Sequence, residues 1–175
     1  MRISKKLFIG VIALGTILGV AVAKKTKIDP GSYEGQSPEA ATEALLGIAQ
    51  EQAGDGSWEN IHLARVYYLT GKKEHAESII ERVLRNNPEA GDWMRIGRVY
   101  YQAGEWEKAQ EAFHKAVGLA PKDEDWLAEI GAYYNMQGER DMAEELFGRS
   151  FALGPSLNNT LTVAGSYLGV APRKR

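Results

Sequence analysis

The sequence predicts an all-α protein built from repeated helix pairs, and two observations carry that prediction. Three stretches, RVYYLTG from Arg65, RVYYQAG from Arg98 and AYYNMQG from Ala132, each place a tyrosine pair shortly before a glycine. Equivalent residues of the first two stretches lie 33 positions apart, and those of the last two lie 34 apart. A fixed period of about 20–50 residues indicates stacked units that bury their apolar faces only against one another.

The period continues through each unit and predicts where its two helices lie. The equivalent positions hold tyrosine (Tyr67, Tyr100, Tyr134), glycine (Gly71, Gly104, Gly138), alanine (Ala76, Ala109, Ala143), a large apolar residue (Ile80, Phe113, Phe147) and proline (Pro88, Pro121, Pro155). The glycine ends the first helix, because a left-handed residue costs least at glycine. The alanine and the apolar residue begin a second helical stripe, and the proline closes it.

The boundaries of the three units follow from this spacing, and their residues carry a family resemblance. Unit one spans 57–89 and carries Asn60, Leu63, Ala64, Tyr67, Ala76, Ile80 and Pro88. Unit two spans 90–123 and carries Trp93, Ile96, Gly97, Tyr100, Ala109, Phe113 and Pro121. Unit three spans 124–157 and carries Leu127, Ile130, Gly131, Tyr134, Ala143, Phe147 and Pro155. The pattern resembles the tetratricopeptide repeat family, W-x2-L-G-x2-Y, then A-x3-F, then P. Unit one departs from it at its first and sixth residues.

This resemblance implies a helix-turn-helix solenoid, wound as a right-handed superhelix, whose first helices line a concave groove for a peptide or partner helix. Two further helices are expected at its ends. Residues 38–56 form a leading cap helix, since Ser37-Pro38 is an N-cap followed by proline at the first helical position. Residues 158–170 form a capping helix without a charge, which is unusual for a solvated cap; either it frays or a partner covers it. Residues 171–175 form a basic tail.

The N-terminus is predicted to direct the chain to a membrane. Residues 7–23 read LFIGVIALGTILGVAVA, which is 17 residues without a charge after a basic start. That length suits either a signal peptide, ending at the small-x-small sequence before Lys24, or a spanning helix. We expect an anchor, with a flexible tether over 24–37 and the body outside the cytoplasm, in the periplasm or its equivalent. The alternative is cleavage after Ala23, giving a soluble periplasmic or secreted protein.

Composition and motifs argue against several function classes. Residues 1–27 hold six basic residues and no acidic one, so the rest of the chain carries a net charge of −8. An acidic body without a basic patch is a poor nucleic-acid binder. His62, His75 and His114 match no metal-ligand spacing, and no catalytic or phosphate-binding motif is present. We therefore expect no enzyme activity, no catalytic residues, no metal and no cofactor.

The first helices carry a second stripe, which is the candidate partner-binding groove. It contains Ile61, Arg65 and Tyr68 in unit one, Met94, Arg98 and Tyr101 in unit two, and Asn135 in unit three. At about 100° per residue, this stripe lies beside the core-facing stripe rather than on it. Tyrosine and arginine carry much of the energy at protein interfaces, and guanidinium pairs with carboxylate. The competing interpretation is that the arginines pair with the protein's own acidic residues and the tyrosines pack between units.

The sequence therefore favours a non-catalytic scaffold or adaptor that holds a segment of another protein, with acidic side chains or a free carboxylate, for assembly of an envelope complex. The alternative is a structural subunit of a membrane complex that oligomerises through its membrane helix and its final segment, without a peptide ligand.

Overall fold

The computed structural model describes residues 27–172. The predicted membrane-directed segment at 7–23 lies outside the described residues. None of the helices between residues 27 and 172 combines the length and the apolar character that crossing a bilayer requires.

Within the described residues the fold is all-α, as predicted, with eight α-helices and no strand. The helices are α1 (Pro38–Ala53), α2 (Ser57–Leu69), α3 (Lys73–Leu84), α4 (Ala90–Gln102), α5 (Trp106–Leu119), α6 (Glu124–Met136), α7 (Arg140–Leu153) and α8 (Leu157–Ser166), preceded by a 3-10 turn at Pro30–Ser32. Helices α2 and α3, α4 and α5, and α6 and α7 form three packed pairs. A helical repeat solenoid fits this arrangement.

The glycine predicted to end each first helix adopts the left-handed conformation. The φ angle is +87° at Gly71, +77° at Gly104 and +85° at Gly138. The residue after each glycine donates its backbone N–H to the carbonyl of the equivalent tyrosine, which is Tyr67, Tyr100 or Tyr134. Glu105 N, for example, lies 2.9 Å from Tyr100 O. These bonds satisfy carbonyls that the helix end would otherwise leave without a donor, so the chain reverses in the same way three times.

In the second and third pairs the two helices approach at a glycine that faces an aromatic ring, whereas the first pair has Ala64 and Ile80 at these positions. A Cβ added at Gly97 would lie 2.4 Å from Phe113 Cε1, and one added at Gly131 would lie 2.7 Å from Phe147 Cε1. Both values are far below a van der Waals contact, so only glycine fits at this helix spacing. The side chains of Phe113 and Phe147 are 0% and 5% exposed, and they form the centre of the core.

Helix α8 ends at Ser166, four residues before the predicted end of the capping helix at 170. Gly169 has a φ angle of +73°, and Val170 N donates to Gly165 O at 2.9 Å. A left-handed glycine with this bond turns the backbone away from the helix axis. The final described residues therefore form a turn that folds back along α8.

Candidate functional site

The predicted groove stripe lies along the contact between successive repeats. We call its seven residues the inter-repeat strip: Ile61, Arg65, Tyr68, Met94, Arg98, Tyr101 and Asn135. Three of them are buried, with Ile61 and Met94 each 1% exposed and Tyr68 3% exposed. These three side chains therefore pack between helices instead of standing open to a groove. Partner binding by the strip stays a prediction.

Arg98 joins the second repeat to the third through a two-point ion pair. Its Nε donates to Glu129 Oε1 and its Nη2 donates to Glu129 Oε2, both at 2.6 Å. The side chains of Arg98 and Glu129 are only 15% and 11% exposed, and Tyr133 OH donates to Glu129 at 3.0 Å. Burial lowers the pKa of Arg98, but the bonds to Glu129 outweigh burial and raise it. The guanidinium is charged, and its charge is neutralised inside the protein.

The remaining members of the strip are half-buried and make polar contacts across repeats. Arg65 Nε donates to Gln102 Oε1 at 2.6 Å, so this guanidinium meets a neutral amide. Tyr101 OH contacts the sulfur of Met136 at 3.8 Å, and Asn135 Nδ2 donates to Ser166 Oγ at 2.9 Å. Each of these residues keeps some exposure to solvent, so a partner could reach it without unpacking the repeats.

Tyr68 belongs to a polar cluster that sequence reasoning missed, centred on Glu77 of α3. Glu77 accepts from Tyr68 OH and Tyr100 OH at 2.8 Å each and from Lys108 Nζ at 2.5 Å. Burial alone would raise the pKa of Glu77, but these hydrogen bonds lower it, Lys108 first. Burial and the carboxylate raise the pKa of Tyr68 to about 12. The cluster ties the first repeat to the second, and nothing in the repeat pattern marks position 77.

Between residues 27 and 172, no group of three or more histidine and acidic side chains gathers as a metal site would require. The buried ionisable groups found above are each paired with another side chain, and they join repeats. Their arrangement supports a rigid stack of helix pairs.

Comparison with protein families agrees with this architecture. Residues 60–89 and residues 90–123 each match a family model described as tetratricopeptide repeat. No curated protein shows significant similarity to the chain. Helices α6 and α7 of the third unit repeat the glycine-to-phenylalanine contact at Gly131. The two family matches and the helical repeat architecture together support a tetratricopeptide repeat protein.

Proposed function

We propose that this protein is a non-catalytic scaffold that holds a segment of another protein against the first helices of its repeats. Tetratricopeptide repeats generally mediate protein–protein interactions, and two of them are matched here. The observation that carries the proposal is the stacking of the repeats. Arg65 joins α2 to α4, and Arg98 joins α4 to α6, so the first helices offer one continuous surface to a partner.

Within the inter-repeat strip, the half-buried residues Arg65, Tyr101 and Asn135 are the proposed contacts. Arg65 is the proposed anchor, because it meets only a neutral amide oxygen of Gln102 and can add a bond to a carboxylate. Arg98 is excluded from this role, since Glu129 already takes both edges of its guanidinium. The partner segment that fits is therefore one with an acidic side chain or a free carboxylate near Arg65.

The proposed setting is the cell envelope. Residues 7–23 would anchor the chain in a membrane, the tether at 24–37 would separate membrane from body, and the repeats would act outside the cytoplasm in assembling an envelope complex. Cleavage after Ala23 would give the soluble form of the same scaffold. The basis for this setting is the sequence of the N-terminus.

Photo-crosslinking tests the proposed surface. A photo-reactive amino acid is introduced separately at Arg65, Tyr101 and Asn135 in the full chain, and crosslinked products are identified by mass spectrometry. We expect one partner peptide to recur at these positions, because their side chains lie along the same face. Arg65→Glu should then reduce the yield at Tyr101 and Asn135, since it replaces the proposed carboxylate anchor with a like charge.

Two control positions set the background for this experiment. Leu119 on α5 and Phe151 on α7 are exposed and lie on second helices, so the same photo-reactive residue there should not capture the recurring peptide. Equal capture at the control positions, or capture at the strip that Arg65→Glu leaves unchanged, would count against binding on the first helices.

A second candidate function, self-association, is favoured by the exposed apolar residues of α8. Leu157 and Leu161 of α8 are 76% and 61% exposed, and Leu168 in the turn that follows is 85% exposed. Exposed apolar side chains grouped in this way mark an interaction surface.

A further inference from the structure

The two end helices of the structure each occupy one half of a repeat. Counting back 34 residues from Ala76 and Ile80 of α3 gives Thr42 and Leu46 of α1, so α1 stands in the position of a second helix. Counting forward 34 from Leu127 and Gly131 of α6 gives Leu161 and Gly165, so α8 stands in the position of a first helix. Within residues 27–172, α1 has no first helix of its own repeat and α8 has no second helix.

Helix α8 exposes the face that a second helix covers in the complete pairs. In α6 the two large residues on this face, Leu127 and Tyr134, are 0% and 9% exposed. Their equivalents are Leu161 in α8, which is 61% exposed, and Leu168 in the turn after α8, which is 85% exposed. Gly165 is the small residue at the position where two helices approach in the complete pairs. The three atoms nearest to a Cβ added there belong to Val170 of the terminal turn, and the closest, its Cβ, lies 3.3 Å away.

At the opposite end of the structure, the position that a first helix preceding α2 would occupy is uncovered. A cavity of about 390 Å³ lies between α1 and α2 and is lined by Leu46 and Ala49 on one side and Trp58, His62 and Val66 on the other. Val66 is 37% exposed, while its equivalents Val99 and Tyr133 are 2% and 3% exposed. In the second and third repeats a preceding first helix lies beside these positions; in the described chain none lies beside α2.

We propose that α8 of one copy of this protein docks into the α1–α2 cavity of a second copy. The two half repeats would then complete one helix pair shared by two chains, with Leu161 and Gly165 of one copy against Thr42 and Leu46 of the next. The contact continues the packing already present in the three complete pairs, so it needs no new type of interface. It is head-to-tail, and repetition gives an open chain or a closed ring.

The charges on the two ends complement each other. Helix α1 carries three acidic residues, Glu39, Glu43 and Glu51, and no basic residue. Glu43 pairs with Lys72 of the same chain, so Glu39 and Glu51 supply the acidic charge at this end. Residues 154–172 carry no charge, and the sequence after them ends in three basic residues, 173–175. Two α8 faces brought together would instead place two basic tails near one another. Opposite charges beside an apolar contact select the head-to-tail partner over that arrangement.

Engineered disulfides test this contact directly, since the chain contains no cysteine. In the third repeat an added Cβ on Gly131 would lie 3.2 Å from the backbone oxygen of Ala143, and the equivalents of these two residues are Gly165 and Thr42. Full-length Thr42→Cys and Gly165→Cys proteins are mixed in mild detergent with a limiting oxidant. We expect a mixed disulfide dimer, several-fold more abundant than from Thr42→Cys mixed with Leu119→Cys, which sets the collision background.

A second substitution checks that the apolar face makes the contact. Leu161→Glu added to the Gly165→Cys copy should remove most of the mixed dimer, whereas Leu119→Glu should not, because Leu119 is similarly exposed at 58% but lies on α5. Helical circular dichroism of each variant confirms folding.

Three results would overturn the proposal. Disulfide dimers from Gly165→Cys alone would indicate that two α8 helices pair with each other. Dimers from Thr42→Cys alone would indicate that two α1 helices pair. Mixed dimers at the collision background would show that α8 does not dock in the cavity. None of these results depends on photo-crosslinking at Arg65, so failure here leaves the scaffold proposal standing.

Discussion

Replacing Gly97 with leucine is expected to lower the free energy of unfolding by about 3 kcal/mol or more, the upper part of the range for overpacked cores. The Cβ alone would lie 2.4 Å from the Phe113 ring. That ring has little room to move, because it stacks on Tyr133 with centroids 5.2 Å apart and planes within 5°. The helices α4 and α5 must therefore separate. Urea unfolding of the full chain, followed by circular dichroism, measures the loss.

The matched control is Gly148→Leu in α7. Gly148 is exposed in the middle of its helix, and an added Cβ there meets no atom within 4 Å. Helix propensity alone predicts a gain of about 0.5–1 kcal/mol for this change. If Gly97→Leu were also neutral or stabilising, the close approach of α4 to α5 at this residue would be wrong.

Replacing Arg98 with methionine is expected to cost about 3–5 kcal/mol, because it leaves the Glu129 carboxylate buried without its cation. Only Tyr133 would continue to donate to that carboxylate. The double variant Arg98→Met with Glu129→Leu should recover most of this loss, since it removes both charges and keeps apolar volume between α4 and α6. The same urea measurement on wild type, both single variants, including Glu129→Leu, and the double variant gives the interaction energy.

An exposed ion pair provides the comparison for this result. Arg149 and Glu145 lie one helical turn apart on α7 at 3.5 Å, with side chains 38% and 61% exposed. Surface pairs of this kind contribute about 0.3–0.5 kcal/mol, so Arg149→Met should have little effect. A loss at Arg98 as small as the loss at Arg149 would mean that solvent reaches the Arg98–Glu129 pair.

The buried pair also decides which arginine can test partner binding. Arg98→Glu would place a second carboxylate against Glu129, so loss of binding in that variant would follow from loss of folding. Arg65 contacts a neutral amide instead of a carboxylate and is half-buried. Reversing the charge at this position with Arg65→Glu is therefore the informative test of the scaffold proposal.

The helix pairs could be predicted from the sequence because their signals are local. A glycine that ends a helix and a small residue facing an aromatic ring recur at fixed spacing, and both depend on contacts within one unit. Gly97 and Phe113, 16 residues apart in the sequence, are an example. The structure has the left-handed glycine in all three pairs and the glycine-to-phenylalanine contact in the second and third.

The environment of the inter-repeat strip could not be predicted in the same way. Helical geometry places Arg98 about 110° from the core stripe, but whether that side meets solvent or the next repeat depends on how the repeats tilt. The partner Glu129 lies 31 residues later. The residues equivalent to Glu129 in the first two repeats are His62 and Arg95. The repeat pattern therefore does not predict the ion pair between Arg98 and Glu129. The exposure of α8 likewise depends on which helices pack beside it.

The central claim is that three complete helix pairs are followed by a first helix whose second-helix face is open. Leucine placed at the equivalent glycines Gly97, Gly131 and Gly165 tests it most directly, by urea unfolding at protein concentrations low enough to keep copies apart. We predict a large loss at Gly97 and Gly131 and a change within about 1 kcal/mol at Gly165, because only the exposed Val170 lies over that site. An equal loss at all three glycines, or no loss at Gly131, would contradict the account.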